Sequence, residues 1–526
     1  MLHTPFTALH GERAEQMASR RDELNAYTFA KRRMLASFLR PSASGSEEGA
    51  PKPLGAVVPG VIVGAVVLAV FGGIGLFSPT APKGWDTPGE HVIVASKSTT
   101  RYVVLKTGRQ VQLHPVLNMA SARLLLDPSK DSVITVDEKV LDSGKPPHGA
   151  TIGIPYAPDR LPAPEEAETA KRWAVCERPG AGGRAIQKAA FVLAEKEWSK
   201  VEGRDRTTGG DLMYVVGPDG KTQYVIDARG YRYRLAEPSD KELLKALDTQ
   251  GRAPQRVSQE WLATFHKGDD IAVPRIDGEP GARAGAFSGL QQYDRYDKIG
   301  MVIKAYDGRR MQYYVVQRGQ VARISEFTAT LLLNSRDLVG VGQAGEAQQV
   351  SPGAVTDSTA FKDDMTWPLY KPRTVNDGAA ATSGRNTVCN VLRSVDGHGA
   401  TTLSTWVGTD FPADLPTGSS SAYVTAGSGL LFRQFQGTAT QAGGVFLVTD
   451  TGLRYALQSN SDSATDDKGI GTTAEQRKQA LTEAKIAQTR LGYARVDPAP
   501  VPMEWSTFLP TGPRLSEAAA RQPQGS

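Results

Sequence analysis

Histidine and cysteine, which build many catalytic and metal sites, are scarce in this chain. It has two cysteines and seven histidines in 526 residues. The histidines show no HExxH pattern, and no Cys/His ligand spacing typical of a zinc site is present. They are His3, His10, His91, His114, His148, His266 and His398. The sequence therefore predicts no metal site and no bound cofactor.

Motifs for nucleophilic catalysis and nucleotide binding are missing as well. No GxSxG nucleophile elbow is present. The nearest approach to a phosphate loop is GPDGKT at 217–222, where two residues separate the glycines instead of the four of a P-loop. The acidic pairs at 269–270 and 363–364 are of a kind common in solvated loops. We therefore predict no catalytic residue.

Over the whole chain, charges of the two signs nearly balance. The formal net charge of +5 comes from 61 basic and 56 acidic residues, which are interspersed. Nucleic-acid binding needs basic residues gathered on one face or in one block, so we predict no nucleic-acid partner. The hydrophobic fraction of 40% is typical of folded domains, so most of the chain is expected to bury a core.

One long apolar run is present. Residues 56–77 read AVVPGVIVGAVVLAVFGGIGLF and contain no charged residue. A helix needs about 20 residues to cross about 30 Å of hydrocarbon. A cleaved signal peptide lies closer to the N-terminus, and a core helix rarely lacks a polar face over this length. The run predicts one uncleaved transmembrane helix. Within it Gly60 and Gly64 form a GxxxG pair, a candidate helix-packing face, although glycine is common in such spans.

Basic residues predict how that helix is oriented. Those between Met17 and the run are Arg20, Arg21, Lys31, Arg32, Arg33, Arg40 and Lys52. Soon after the run there is only Lys83, followed by Trp85 at the place of an interfacial aromatic residue. Because Lys and Arg are retained inside, we expect a cytoplasmic N-terminus and an extracytoplasmic bulk at the cell (inner) membrane.

The cytoplasmic segment has its own pattern. Residues 22–39 carry apolar side chains at helical spacing among basic ones. This predicts a helix that either lies on the inner leaflet or docks on a cytoplasmic partner. Residues 1–16 fit no pattern, which makes Met17 a candidate start and residues 17–55 the cytoplasmic helix and linker.

The exported part repeats one template. An aromatic residue is followed by glycine six residues later and by an apolar residue five after that. The four occurrences are Tyr102, Gly108, Leu113; Tyr214, Gly220, Val225; Tyr313, Gly319, Ile324; and Phe446, Gly452, Leu457. The pattern predicts strand, turn and strand, with glycine supplying the positive φ of the turn. Four copies indicate internal repeats.

The repeats alternate between two kinds. The first and third precede short apolar helical runs ending in three leucines, at 124–126 and 331–333. The second and fourth precede helices with capping boxes, Ser239 with Glu242 and Thr473 with Gln476. These helices lead to matching segments, VSQEW at 257–261 and VPMEW at 501–505. We interpret the exported part as an internal duplication, with one copy at 90–275 and the other at 293–515.

The two cysteines follow the same register. Cys176 lies 68 residues after Gly108, and Cys389 lies 70 residues after Gly319. In an exported protein two equivalent cysteines predict a disulfide across a pseudo-two-fold axis, since such bonds persist outside the cytoplasm. Two unrelated buried thiols are the alternative.

These features, in this order, resemble the EccB family, the core membrane component of actinobacterial type VII (ESX) secretion systems. The resemblance runs from Met17 onward. It is carried by the leader segments RRDEL at 20–24 and YTFAKRR at 27–33, the single span, the cysteine pair, the hairpin repeats and the terminal LPTGPRL at 509–515.

The resemblance implies a structural subunit of the secretion channel, assembled with EccC, EccD and EccE and forming a homo-oligomer around the pore. It also implies an elongated periplasmic part with repeat domains flanking a disulfide-bonded central domain. Two alternatives remain open. One is an ATPase with ATP as its cofactor, as attributed within the family. The other is a stand-alone cell-wall-binding protein, because the repeats look like phage lysin modules that contact peptidoglycan.

The expected fold class is α+β, with four hairpin/helix repeat domains around a β-rich central domain. The predicted segments beyond the membrane are repeat 1 at 85–130, the first half of the central domain at 131–200, repeat 2 at 201–275, a linker at 276–292, repeat 3 at 293–335, the second half of the central domain at 336–420, repeat 4 at 421–515 and a disordered tail at 516–526.

Overall fold

The computed structural model describes residues 20–39, 57–77, 81–130, 132–180, 185–287, 290–355, 358–378, 384–416, 421–458 and 474–524. The chain separates into two compact units, residues 1–80 and residues 81–526.

The first unit contributes two helices, α1 (Arg20–Leu39) and α2 (Val57–Phe77). Helix α1 exposes Leu24 and Tyr27. Helix α2 carries Gly60 and Gly64, and its side chains are described as far as residue 69. Over the described residues, no helix combines the length and apolar character that a membrane crossing requires. The predicted extension at 1–16 lies outside the described residues.

The second unit begins with sheet 1, which contains four strands in the order β3-β2-β1-β4. Strands β1 to β3 form an antiparallel meander, and β4 lies parallel beside β1. The elements are β1 (His91–Ala95), β2 (Arg101–Thr107), β3 (Gln110–Val116), α3 (Met119–Leu124), β4 (Ser132–Val136), α4 (Glu138–Leu141) and the following α5 (Pro164–Glu168).

Two strands of the central sheet come next, followed by sheet 2. The central strands and helix are β5 (Arg172–Arg178), β6 (Gln187–Leu193) and α6 (Ser199–Glu202). Sheet 2 has the path β10-β7-β8-β9-β11. Its elements are β7 (Asp211–Val216), β8 (Gln223–Asp227), β9 (Tyr231–Arg234), α7 (Lys241–Ala246), β10 (Gln255–Arg256), α8 (Gln259–Ala263) and β11 (His266–Lys267).

Sheet 3 follows with the order β15-β12-β13-β14-β16. Its elements are β12 (Val302–Tyr306), β13 (Met311–Gln317), β14 (Gln320–Ile324), α9 (Glu326–Leu333), β15 (Gln348–Gln349) and β16 (Thr359–Ala360). Strand β17 (Arg373–Thr374) then joins sheet 2 beside β7.

The central sheet is completed by a second hairpin and an edge strand, giving the order β19-β18-β5-β6-β20. These strands are β18 (Thr387–Val395), β19 (Thr401–Gly408) and β20 (Ala422–Val424). Sheet 4 has the order β23-β22-β21-β24. Its elements are β21 (Gly429–Phe435), β22 (Val445–Thr449), β23 (Arg454–Ala456), α10 (Ala474–Arg490), β24 (Ala499–Pro502), α11 (Met503–Ser506) and the terminal α12 (Glu517–Ala520).

Sheets 1 to 4 share one connectivity. In each, a three-stranded meander is followed by a helix, and a strand then returns parallel to the first meander strand. A last segment lies parallel beside the third meander strand; it is β11 in sheet 2, β16 in sheet 3 and isolated bridges at His148, Ile152 and Thr511 in sheets 1 and 4. Parallel strands need a long crossover connection, usually with a helix, which explains the intervening α3, α7, α9 and α10.

Two cores join elements from opposite sides of the proposed duplication. One core joins sheet 1 and α3 to sheet 4 and the end of α10, and includes Leu124, Leu447 and Leu491. Another joins sheet 2 and α7 to α9 after sheet 3, and includes Leu243, Phe327 and Leu331. A third core joins sheets 2 and 4 to one face of the central sheet. Elements on the two sides of the proposed duplication therefore pack on each other, sheet 1 on sheet 4 and α9 on sheet 2.

Several predicted boundaries are wrong. Sheet 1 extends past residue 130 to β4, and sheet 3 extends past residue 335 to β16, because each meander needs its two parallel strands to complete it. The stretch at 276–292 is not a free linker, since Phe287 and Ala284 are buried in the core of sheet 3. The tail predicted to be disordered from 516 forms α12, where Ala520 is fully buried, and Gln524 Nε2 donates to Gly153 O at 2.7 Å.

Candidate functional site

The two cysteines lie at the middle of the central sheet. Cys176 on β5 and Cys389 on β18 are directly opposite each other in the antiparallel register, with their Cα atoms 4.0 Å apart. Their sulfurs are bonded, closing a loop with a sequence separation of 213. Both side chains are fully buried with Ala174 and Val391. The predicted disulfide is therefore present, and it lies where the two halves of the sheet meet.

Helix α8 lies across the opposite face of this sheet and is held at both ends. Ser258, its N-cap, donates from its backbone N and Oγ to the carboxylate of Glu177, at 2.8 and 2.5 Å. At the C-terminal end, Asn390 Nδ2 donates to Thr264 O at 3.0 Å. Glu177 and Asn390 each follow a cysteine, and both are fully buried. The residues next to the disulfide thus position one helix from both strands.

Electrostatics at the two ends of α8 differ. Burial raises the pKa of Glu177 above its ordinary value, although the hydrogen bonds from Ser258 act in the opposite direction. Lys188 Nζ lies 3.9 Å from Glu177 and 3.0 Å from Glu260, which begins α8. Hydrogen bonds at the helix start and to Lys188 lower the pKa of Glu260 to about 2. The buried carboxyl therefore takes up a proton far more readily than its exposed neighbour.

The tryptophans of the matching VSQEW and VPMEW segments share one core. Trp261 on α8 and Trp505 on α11 are 0% and 2% exposed and belong to the cluster that joins sheets 2 and 4 to the central sheet. Trp261 Nε1 donates to Val175 O on β5 at 3.0 Å. Both tryptophans follow a strand that returns parallel to the first strand of its sheet. The two tryptophans therefore lie at the same point in the connectivity of sheets 2 and 4.

A carboxylate surrounded by arginines lies on the disulfide face. Glu202 contacts Arg172 on β5 and Arg393 on β18, and Arg206 Nη1 lies 2.8 Å from Glu202 Oε2. The Arg172 guanidinium also covers the Trp198 ring, with its carbon 4.0 Å from the ring centroid. Burial raises the pKa of Glu202, but the three guanidinium groups outweigh it and hold that pKa below the ordinary range. The network joins α6 to both central strands.

The turn glycines adopt the backbone conformation that the template demands. Gly108, Gly220, Gly319 and Gly452 have φ of 64°, 67°, 70° and 79°. Gly220, however, lies in the first hairpin of its sheet, β7–β8, whereas the others lie in the second. The counterpart of Gly452 in sheet 2 is Gly230, six residues after Tyr224 and five before Leu235. The template matched the wrong hairpin because two successive hairpins of the meander carry it.

In the GPDGKT stretch, the backbone N–H groups of the loop are hydrogen-bonded by a side chain of the same loop. The Asp219 carboxylate accepts hydrogen bonds from the backbone N of Lys221, and from the backbone N and the hydroxyl of Thr222. These bonds lower the pKa of Asp219 to about 2. A phosphate loop needs such backbone N–H groups free to bind phosphate. The stretch is a hairpin loop in which the Asp219 carboxylate binds the N–H groups that a phosphate would need.

Other sequence candidates are dispersed. Among the described residues, no group of three or more His, Cys, Asp or Glu side chains could hold a metal ion. His114 on β3 is hydrogen-bonded to Ala150 O. His266 on β11, in a different sheet, is hydrogen-bonded to Thr401 Oγ1. The helix after repeat 2 is capped by Asp240, whose side chain accepts from Glu242 N and Leu243 N, and not by Ser239. Thr473 lies outside the described residues.

Sequence reasoning missed Glu177, Asn390 and the arginine network. The first two could have been found, because each directly follows a cysteine in a run with strand character. The network could not, since Arg172, Glu202 and Arg393 come from separate segments that only the sheet brings together.

Known proteins resemble this chain over most of its length. It is 27% identical over 484 residues to the ESX-3 secretion system ATPase EccB3 of Mycolicibacterium smegmatis, covering 88% of this chain and 83% of that protein. It is 26% identical over 501 residues to the protein of the same name from Mycobacterium tuberculosis strain H37Rv, covering 88% and 82%.

Solved structures share the fold. A chain of an intact ESX-5 inner membrane complex matches with a TM-score of 0.55 and 20% identity, over 98% of this chain and 97% of that one. The EccB3 dimer from the ESX-3 core complex matches with a TM-score of 0.52 and 22% identity, over 82% and 99%. Residues 16–525 match the family described as type VII secretion system ESX-1, transport TM domain B. The chain belongs to this EccB family, as the order of its sequence features predicts.

Proposed function

We propose that this chain is a structural subunit of a type VII (ESX) secretion membrane complex and forms the extracytoplasmic part of the channel assembly. The observation that carries the proposal is the family match over residues 16–525. The solved chains of the same fold are described as parts of ESX inner membrane complexes. A fold of several packed sheets, with one disulfide joining two strands of the central sheet, is suited to a structural subunit.

Anchoring by one helix is part of the proposal. The uncharged run at 56–77 supports a single span, and the excess of Lys and Arg before it supports a cytoplasmic N-terminus. The disulfide suits an oxidising compartment outside the cytoplasm. Reporter fusions test the topology. Fusions after residue 90 should be active only as exported reporters, and fusions before residue 50 only as cytoplasmic ones; the reverse pattern would refute the orientation.

A pseudo-two-fold arrangement of four repeat units is a further part. It is supported by the shared connectivity of sheets 1 to 4 and by the pairing of Cys176 with its sequence counterpart Cys389. It is also supported by the packing of sheet 1 on sheet 4 and of helix α9, which follows sheet 3, on sheet 2. In such an arrangement the axis passes through the disulfide.

The partners proposed are EccC, EccD, EccE and further copies of this chain, with peptidoglycan as a second contact. A deletion strain of the native host tests the role. Loss of type VII substrates from the culture medium, restored by the full chain, is expected. Unchanged secretion in the deletion strain would overturn the proposal.

The name of the relatives includes ATPase, and this is the second candidate function. Asp219 occupies the one loop that resembles a phosphate loop, which argues against nucleotide binding there. We expect the purified full chain to hydrolyse ATP no faster than its Lys221→Ala variant. Saturable hydrolysis that follows the protein peak and disappears when one carboxylate is replaced would establish the ATPase instead.

A further inference from the structure

A basic pocket of about 310 Å³ opens on sheet 2, beside the start of α8. It is lined by Tyr224 on β8, Arg232 and Arg234 on β9, Lys267 on β11, Gln259 and Asp270. The strand register explains why these side chains lie close together. Arg234 lies opposite Tyr224, and Arg232 lies opposite Lys267. Paired residues of neighbouring strands share a face, so these side chains project from one side of the sheet.

Positive charge in this pocket is only partly compensated. Arg234 Nε lies 3.0 Å from Asp270 Oδ2, which pairs these two residues. Among the described residues, neither Arg232 nor Lys267 has a carboxylate within 4.0 Å or a hydrogen-bond acceptor for its side chain. Arg232 is half-buried. Two like charges side by side on neighbouring strands, one of them partly desolvated, repel each other, and a bound anion would offset that repulsion.

Nearby carboxylates have other partners. Asp269 accepts hydrogen bonds from the backbone N and the Oγ1 of Thr366, at 2.8 and 2.9 Å. Glu260 pairs with Lys188 at 3.0 Å. The Tyr224 hydroxyl has no hydrogen-bond partner among the described residues. Beyond 4.0 Å, Lys267 also interacts electrostatically with Asp269 and Asp270. The pocket therefore holds two cations with no carboxylate within 4.0 Å, and one hydroxyl with no hydrogen-bond partner, among the described residues.

We propose that this pocket binds an oxyanion, a phosphate or carboxylate group, borne either by a free small molecule or by an anionic polymer. Arg232 offers two parallel N–H groups to such an anion, Lys267 a point charge and Tyr224 a hydroxyl donor. The volume lies at the lower end of small-molecule pockets, which suits one anionic group rather than a nucleotide.

Titration calorimetry of the full chain in mild detergent with inorganic phosphate tests the site. Saturable binding is expected, weakened at least tenfold in the double variant Arg232→Ala/Lys267→Ala and weakened by added NaCl through screening. Asp270→Asn removes the one carboxylate of the pocket and should tighten binding severalfold. Because one variant should weaken phosphate binding and the other should tighten it, damage to the fold cannot account for both results.

Lys245→Ala/Lys371→Ala is the matched control. These lysines line a larger cleft of about 570 Å³ between α7 and β17, so their loss should leave phosphate affinity unchanged. A polymer-borne anion is indicated if short-chain polyphosphate binds at least tenfold more tightly than phosphate and depends on Arg232 and Lys267. Equal affinity of the two double variants, or no saturation with phosphate, acetate or polyphosphate, would overturn the proposal.

Discussion

Glu177 and Asn390 follow the two cysteines of the central sheet, and they hold the two ends of helix α8. Only Glu177 is ionisable. It is fully buried, and its carboxylate is hydrogen-bonded by Ser258. Burial raises its pKa, so the folded state retains the proton at pH values where an unfolded glutamate has already lost it. The ionised carboxyl thus costs stability once the pH exceeds about 4.3, the ordinary value of glutamate.

Glu177→Gln should therefore raise the free energy of unfolding at pH 7, with the gain shrinking as the pH falls toward 4. The amide keeps an acceptor for Ser258 N without the buried charge. Urea denaturation across that pH range measures the effect. Glu195→Gln, at an exposed position, serves as the control. A variant less stable than the native chain at pH 7 would show that the ionised form is the favoured one.

The disulfide between Cys176 and Cys389 stabilises the fold largely by restricting the conformations of the unfolded chain. Their bond closes a loop of over 200 residues, for which the chain-entropy account gives up to about 5 kcal/mol. Cys176→Ala/Cys389→Ala should lower the free energy of unfolding by an amount approaching that value, and added reductant should lower that of the native chain similarly. Identical denaturation midpoints with and without the bond would contradict the scaffold role of the disulfide.

At the scale of elements, the second hairpin of each meander is the repeated feature. Gly230 in sheet 2 and Gly452 in sheet 4 have φ of 80° and 79°, and each follows an aromatic residue by six positions. A Cβ at Gly230 would lie 2.6 Å from the Cβ of Leu403 on β19. That turn therefore requires glycine for its backbone and for its contact with the central sheet.

Gly230→Ala should destabilise the chain by more than Gly220→Ala. Both substitutions strain a left-handed residue, at about 1–2 kcal/mol, but a Cβ at Gly220 meets nothing within 4 Å. Gly397→Ala, in open space with no positive φ, is the control. Thermal denaturation ranks the three variants. If Gly220→Ala were the most damaging, the assignment of equivalent hairpins would be wrong.

Much of this element structure could be predicted from the sequence. Turn glycines, the cysteine register and the two tryptophan segments could be read from local spacing, although the template chose the first hairpin of sheet 2 instead of the second. The parallel strands β15 and β16 could not be found, since each has two residues and is defined by its partner. The basic pocket also escaped, because Arg232 and Lys267 become neighbours only through the register of β9 with β11.

At the scale of the whole molecule, the crossed packing makes each half depend on the other. The core of sheet 1 is completed by Leu447 and Leu491, and that of sheet 2 by Phe327 and Leu331, all from residues 293–515. Separation of the halves would expose these apolar faces to water.

Residues 81–275 and 293–524 expressed separately should therefore be insoluble or molten, whereas co-expression should restore one folded, disulfide-linked particle. Solubility and near-UV circular dichroism measure this. A cooperative unfolding transition in either half alone would show that the copies are independent domains.

The scaffold role is tested most directly by purifying the tagged full chain from native membranes in mild detergent and measuring the mass and composition of the eluted particle. We predict that the 56.4 kDa chain elutes in several copies within a far larger assembly that contains the motor ATPase and the other membrane subunits of one type VII system. Elution as a monomer or a simple dimer, with no other membrane protein in proportion, would contradict that role.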